Sequence, residues 1–282
     1  MEPDPALAAV KTYNYLRIAL AALVLLLFTA VAIEVWSAGC GLQPSISAYY
    51  FTPVHAVFIG VLVTMGACLV ALKGSTDGED VLMNLAGMLA PVVAFVPTGG
   101  PAQCSSAPLL APDVAALVGN SVPALLVTGV VVGVVAFLVA RREGGVRGLS
   151  AADRRGVLVG AAVLAGGVVW FVVGRSSFVA HGHDVAAVPM FLAIIAVVWL
   201  NARGVQQAVR RGAVPAGHSR YVGGYRGIAV AMLVALVATV VIALATRSTS
   251  VVFWVEVVLI TLFAVFWVVQ TTELWDRGLR RP

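Results

Sequence analysis

The chain has 282 residues, of which 61% are hydrophobic and only 11% charged, with a formal net charge of +5. A soluble domain carries about 25% charged residues, so a soluble enzyme or binding module is excluded and the chain reads as an integral membrane protein. Its 18 Lys and Arg lie in separated clusters beside apolar runs rather than on one polar face, which gives nucleic-acid binding no support.

Apolar runs of about 20 residues, the length that crosses a hydrocarbon core of roughly 30 Å, occur near 15–36, 54–73, 81–97, 121–140, 157–174, 185–202, 226–245 and 251–270. The expected fold is an all-α, polytopic transmembrane bundle of about eight spans, forming a single integral membrane domain over 1–282. With the N-terminus inside, an even number of spans places the C-terminus inside too. Sixteen of the 18 Lys and Arg then lie on the inner side, leaving Arg175 and Arg247 outside, as the positive-inside rule requires. The high pI of about 9.4 follows from this topology and from attraction to anionic inner-leaflet lipid, and requires no basic ligand.

At the start, Lys11 and Arg17 before an apolar stretch, followed by Ala30-Val31-Ala32 and Ser37-Ala38-Gly39-Cys40, imitate a secretion signal and a lipoprotein box. The run exceeds the usual signal core of about 7–15 residues, and Glu34 and Trp36 interrupt its end, so the stretch reads as an uncleaved first span. Between spans one and two lies CGLQPSISAYYFTPVHAVFIG, from Cys40 to Gly60. Pro53 suits the first turn of span two, Tyr49 and Tyr50 suit an outer aromatic belt, and Pro44 with the serines suits a compact turn.

Cys68 falls deep in span two and reads as a buried filler, whereas Cys40 and Cys104 fall in loops on the same outer, oxidising side and are expected to form a disulfide. Span three, with Asn84, Gly87 and Pro91, is expected to bend and to shelter its freed carbonyls against neighbours. Gly129/Gly133, Gly156/Gly160 and Gly223/Gly227 have the spacing of close helix crossings, although 28 glycines also generate that spacing by chance. The likeness of YLRIALAALVLL from Tyr15 to YRGIAVAMLVAL from Tyr225 hints at an internal repeat, a match that apolar helices produce cheaply.

Ionisable groups near hydrocarbon are costly and face the bundle interior or water with a partner. Glu34 ends span one, His55 begins span two, Asp113 precedes span four, Arg175 and the segment His181-Gly182-His183-Asp184 lie in the connection from span five to six, and Glu256 begins span eight. All are on the outer side, and the inner side shows only ordinary flanking charge. The expectation is a hydrated outer vestibule that brings at least two of Glu34, His55 and Glu256 together, with Tyr49 or Tyr50 as a donor. In the alternative reading the carboxylates reach interfacial water or pair with Arg175 or Arg247. His181, His183 and Asp184 read as a three-ligand set for a divalent metal with an open position, which His55 could complete. The same residues also read as a pH-sensitive latch or as a solvated loop, and no H-E-x-x-H or paired C-x-x-C supports the metal. Ser45, Ser47, Ser176 and Ser177 lack a G-x-S-x-G elbow, so acyl transfer has no support.

The segment S-I-S-A-Y-Y-F-T-P, followed by V-F-I-G and by V-A-F-V-P-T from Val93 to Thr98, resembles a group of uncharacterised bacterial multi-spanning inner-membrane proteins with S-I-S-x-Y-Y-x-T ahead of the second helix. The resemblance covers 45–98 and, more loosely, Phe253 to Trp267; where that group has an arginine after the motif, this chain has Val54-His55. It implies a multi-pass protein of the bacterial cytoplasmic membrane without an assigned activity, a source that the Ala, Val, Gly and Arg richness also suits. The leading expectation is a non-enzymatic protein whose outward polar cavity binds a lipid headgroup or small molecule without a cofactor. The alternatives are a metal-dependent membrane hydrolase using His55, His181, His183 and Asp184, and a proton-coupled carrier using Glu34 and Glu256. Membrane lipids are its expected partners.

Overall fold

The computed structural model describes residues 5–98, 104–107, 113–142, 151–246 and 250–280. Among them are eight α-helices and no strand: α1 (Pro5–Ala38), α2 (His55–Ala71), α3 (Asp77–Phe95), α4 (Val114–Arg142), α5 (Ala151–Val173), α6 (Arg175–Arg210), α7 (Ser219–Thr246) and α8 (Ser250–Leu274). Seven are long and apolar enough to cross a membrane, so the chain is a multi-pass helical bundle, as expected. The eighth, α2, has 17 residues and is only about 25 Å long at 1.5 Å per residue, less than the hydrocarbon thickness. A 3-10 turn, Ser47–Phe51, precedes it with all five residues buried. Its burial keeps this non-helical backbone within protein and away from lipid.

One expectation is corrected. The segment from Arg175 to Asp184, read as an outer loop, is the first part of α6, and Gly174 alone separates α5 from α6. The Gly174 amide still bonds Trp170 O at 2.8 Å, and Gly174 O accepts Phe178 N at 2.8 Å, so hydrogen bonding runs through the corner without a loop. Phe178 fills the angle against Trp170 and Phe171.

Sequence chemistry accounts for the start of α3. Thr76 lies in extended backbone and its hydroxyl accepts Glu79 N, which caps one orphan amide. Asp77, Glu79 and Asp80 occupy the first turn, where the helix dipole favours negative charge. Along its length α3 buries Ala86, Ala90 and Ala94, small residues one turn apart that let neighbouring backbones approach. The most extensive pairings are α3 with α6, α2 with α3, and α6 with α7. The α4–α5 pair is peripheral, with Val131, Val135, Leu158 and Val172 exposed, a surface that hydrocarbon covers in a membrane.

Of the glycine pairs singled out by spacing, Gly156 and Gly160 do meet α3 through Val81 and Met88, and Gly129 meets Leu164. Gly133, Gly223 and Gly227 face open space. The tightest crossing has no such spacing. It lies between Gly66 of α2 and Gly87 of α3, where a Cβ added to either would sit 2.7 Å from the other's carbonyl oxygen. Pro91, four residues after Gly87, has no amide to offer that carbonyl, and Gly66 shelters it.

The two ends of the bundle are chemically distinct. One gathers the N-terminal part of α1, the α2–α3 turn, the end of α6, the start of α7 and the tail after α8, through Asn14 to Trp275 O, Arg17 to Gly278 O, Ser75 to Arg280 N and Asn201 to Arg280. This is the end that the charge distribution assigns to the inside. The opposite end carries the Cys40–Cys104 disulfide, with Cα atoms 5.8 Å apart, as their shared side led us to expect. Cys68 is buried and free.

Candidate functional site

At the outer end the expected polar residues are present, but each bonds to a different group. Glu34, 4% exposed, accepts Ser105 Oγ at 2.8 Å, Ser106 N at 2.8 Å and Ser106 Oγ at 2.6 Å. Both serines follow Cys104 directly, so the disulfide carries them to the carboxylate. Glu256 accepts the amide of Ile46, and Phe253 N donates to Pro44 O at 3.1 Å, which docks the 43–51 segment on the start of α8. His55 bonds Tyr50 O through Nδ1 at 2.7 Å and lies edge-on to the Tyr50 ring at 4.3 Å.

Between these anchors runs a hydroxyl chain, Ser45 Oγ to Ser47 Oγ at 3.0 Å and Ser47 Oγ to Thr98 Oγ1 at 2.7 Å. Gln43 N donates to the Tyr49 hydroxyl and Gln43 Nε2 to Cys104 O. Burial pushes both the Tyr49 and Tyr50 hydroxyls above the usual tyrosine range, so they remain neutral donors or acceptors. This is a satisfied knot of loop backbone, held by Glu34 and Glu256 through separate bonds. Asp113 accepts Ala116 N at 3.1 Å as an N-terminal cap of α4. Arg175 donates to Ala115 O at 3.0 Å, tying α6 to α4, and Arg247 lies outside the described residues.

The histidine pair is divided by the helix that contains it. Residues two apart on a helix point to nearly opposite sides: His181 bonds Ser177 O one turn back, while buried His183 bonds Val96 O at 2.8 Å. The expected set of His55, His181, His183 and Asp184 is not assembled. Among the described residues no group of three His, Cys, Asp or Glu side chains is placed to hold a metal ion.

Glu34→Gln is expected to lower stability by about 2 kcal/mol, because its amide turns a donor toward Ser105 and Ser106 and weakens charge-assisted bonds. Thermal unfolding in detergent measures this; wild-type stability in the variant would show that the three bonds contribute nothing net.

The inner end holds what the sequence reading passed over. Asn14, Arg17, Glu79, Asn201 and Gln270 are all buried, and Arg280 with Glu273 forms an ion pair whose side chains are 7% and 4% exposed. Arg280 gives Nε to Glu273 Oε1 at 2.8 Å, Nη2 to Oε2 at 2.5 Å and Nη1 to Asn201 Oδ1 at 2.9 Å. Burial alone would lower the Arg280 pKa, but its bonds to Glu273 outweigh it and hold it above its ordinary value. Arg17 donates to Gly278 O and Asn14 Oδ1, and Glu79 Oε2 accepts Ser75 N at 2.9 Å.

Three buried side-chain atoms have no hydrogen-bond partner among the described residues: Arg17 Nε, Glu79 Oε1 and Trp267 Nε1. All three residues line one cleft, with Gly74 and Ser75 of the α2–α3 turn, Gln270 of α8 and Leu279 of the tail. The enclosed part of the cleft has room for about one water molecule, and the space reaches about 230 Å³ only when the open solvent at its mouth is included. The unpaired atoms of these lining residues are enclosed: two N–H donors, one of them cationic, and one carboxylate oxygen. Leaving such groups unpaired costs about 1–3 kcal/mol each, so the arrangement calls for a polar occupant. The signal that would have found it is the amides Asn201 and Gln270 inside or beside apolar spans, since a polar residue at that depth is a site candidate. Compared with known proteins, the chain matches no family model, no curated protein and no solved structure.

Proposed function

We propose that this multi-pass protein is a non-enzymatic receptor or accessory subunit that recognises a phosphate-bearing polar group, and that recognition takes place at the inner cleft rather than in an outer vestibule. Glu34 is already bonded to Ser105 and Ser106, and Glu256 and His55 to the segment before α2. The observation that carries the reading is that Arg17, Trp267 and Glu79, each with a buried side-chain atom lacking a partner among the described residues, all line one cleft. A phosphate group at the mouth would reach these enclosed groups through a water that accepts an N–H and donates to Glu79. Lys73 also lines the cleft, its ammonium ion-paired with Asp80. The inner leaflet, rich in anionic headgroups, supplies such groups. The resemblance of the 45–98 segment and the Ala, Val, Gly and Arg richness support the bacterial cytoplasmic membrane as the location.

The test is thermal unfolding in nanodiscs of phosphatidylcholine with and without phosphatidylglycerol, and in detergent with glycerol phosphate. The wild type is expected to gain a few degrees from phosphatidylglycerol, while Trp267→Phe, which removes only the N–H, gains less. A gain from glycerol phosphate as well identifies the phosphate itself as the ligand; a gain from the lipid alone identifies the membrane-bound headgroup. Absence of any gain in the wild type would sink the proposal.

A further inference from the structure

The tail after α8 is held at the inner end by a site that recognises one side chain. Five features from four parts of the chain meet at Arg280. Glu273 takes its two parallel N–H bonds and Asn201 Oδ1 takes a third. The ring of Tyr225 lies 5.8 Å from the guanidinium carbon, and Ser75 Oγ accepts the Arg280 amide at 3.2 Å. A two-point fork to a carboxylate is the pairing that suits guanidinium and not ammonium.

The pit is organised by bonds that do not involve Arg280. Asn201 Nδ2 donates to Val197 O at 2.9 Å, which turns Oδ1 toward the pit, and Gln270 Nε2 donates to that same Oδ1 at 2.7 Å. The Tyr225 hydroxyl donates to Glu273 Oε2 at 2.6 Å, which fixes the carboxylate. These groups sit on α6, α7 and α8 and are nearly all enclosed. The tail turns back through Gly278 at φ +66°; Gly278 itself is buried and accepts Arg17 through its carbonyl, while Arg277 before it is exposed. Leu279, between that turn and Arg280, lines the inner cleft, so the docked tail also narrows it.

We propose that this pit is a guanidinium receptor, occupied by the chain's own Arg280 and able to take a free guanidinium ligand in its place, which makes the tail an exchangeable cover over the cleft. The proposal rests on the pit alone and does not depend on what the cleft binds. A small guanidinium compound or an arginine-bearing peptide segment is the class of ligand that fits.

Chemical rescue tests it on the full chain purified in detergent. Arg280→Ala is expected to lower the unfolding midpoint by several degrees, and millimolar ethylguanidinium to restore most of the loss, while ethylammonium at the same concentration and ionic strength restores little. Arg280→Lys, which keeps the charge but not the fork, is expected to fall between wild type and Arg280→Ala. Equal rescue by both cations, or an Arg280→Ala midpoint equal to wild type, would overturn the proposal. If Arg280→Ala yields no folded protein, the same exchange is read on an otherwise intact tail, in a Leu279→Cys, Cys68→Ala variant. Ethylguanidinium is expected to speed maleimide labelling of the introduced thiol several-fold over ethylammonium, and identical rates would reject exchange.

Discussion

Protein in which Cys40 and Cys104 are both replaced by serine is expected to lose about 4 kcal/mol of stability. The bridge joins residues 64 apart in sequence, and in the chain-entropy model a closed loop of that length restrains the unfolded ensemble by about this amount. An unfolded state that keeps α1 to α3 inserted already limits the loop, so the figure is an upper bound on the entropic part of the loss alone. The loss should exceed that of a simple tether in one respect. Ser105 and Ser106 reach Glu34 because Cys104 is held beside α1, so cutting the bridge weakens those bonds as well. Combining the double serine variant with Glu34→Gln is therefore expected to cost less than the sum of the two, by more than about 0.5 kcal/mol, the scale on which coupled sites depart from additivity. Denaturant unfolding in mixed micelles measures both quantities. Strict additivity would mean that the serines hold the carboxylate without help from the bridge.

The second large effect is expected at Gly87. Its added Cβ would sit 2.7 Å from Gly66 O and 2.7 Å from Val70 Cγ2, with Val70 N at 3.2 Å. Two of those atoms are backbone and do not rotate away, so Gly87→Ala must separate α2 from α3. The expected cost is about 3 kcal/mol, the upper part of the usual range for overpacking. Gly66→Ala meets Gly87 O and the Pro91 ring and should cost a similar amount. Gly223→Ala and Gly227→Ala meet nothing within 4 Å and should be neutral, or stabilising by up to about 1 kcal/mol through lower backbone entropy. Unfolding of the four variants side by side separates the two classes. A loss at Gly227 as large as that at Gly87 would contradict the assigned crossing.

That comparison shows what the sequence could and could not disclose. Span positions were legible because twenty apolar residues have few other uses, and the disulfide was legible because charge alone sorts Cys40 and Cys104 to one side. The Gly66–Gly87 crossing was not, because it depends on which faces of two helices meet, and spacing within one helix carries no record of a partner. The α5–α6 corner was missed for a related reason. Histidine, serine and aspartate are only mildly poor helix formers, so Arg175 to Asp184 reads as loop by polarity yet is helical in context. At the outer end, Glu34 and Glu256 were recognised as groups needing partners, but those partners proved to be loop amides and hydroxyls, which every loop possesses. At the inner end, Arg17, Glu273 and Arg280 resembled the flanking charge of any span. Their burial follows from the fold of the tail back onto α1, which no local pattern announces.

The docking of the first outer loop onto the start of α8 also sets an order of events during synthesis. The Ile46 amide must wait for Glu256, 210 residues later, which at about 5–20 residues per second is roughly 10–40 s of translation. Cys104 arrives much sooner, 64 residues after Cys40. The nascent loop is therefore fastened first on the side facing α1 and last on the side facing α8. The closing helix enters a groove whose far wall is already covalently fixed, and the final seam forms only when the whole bundle has been made.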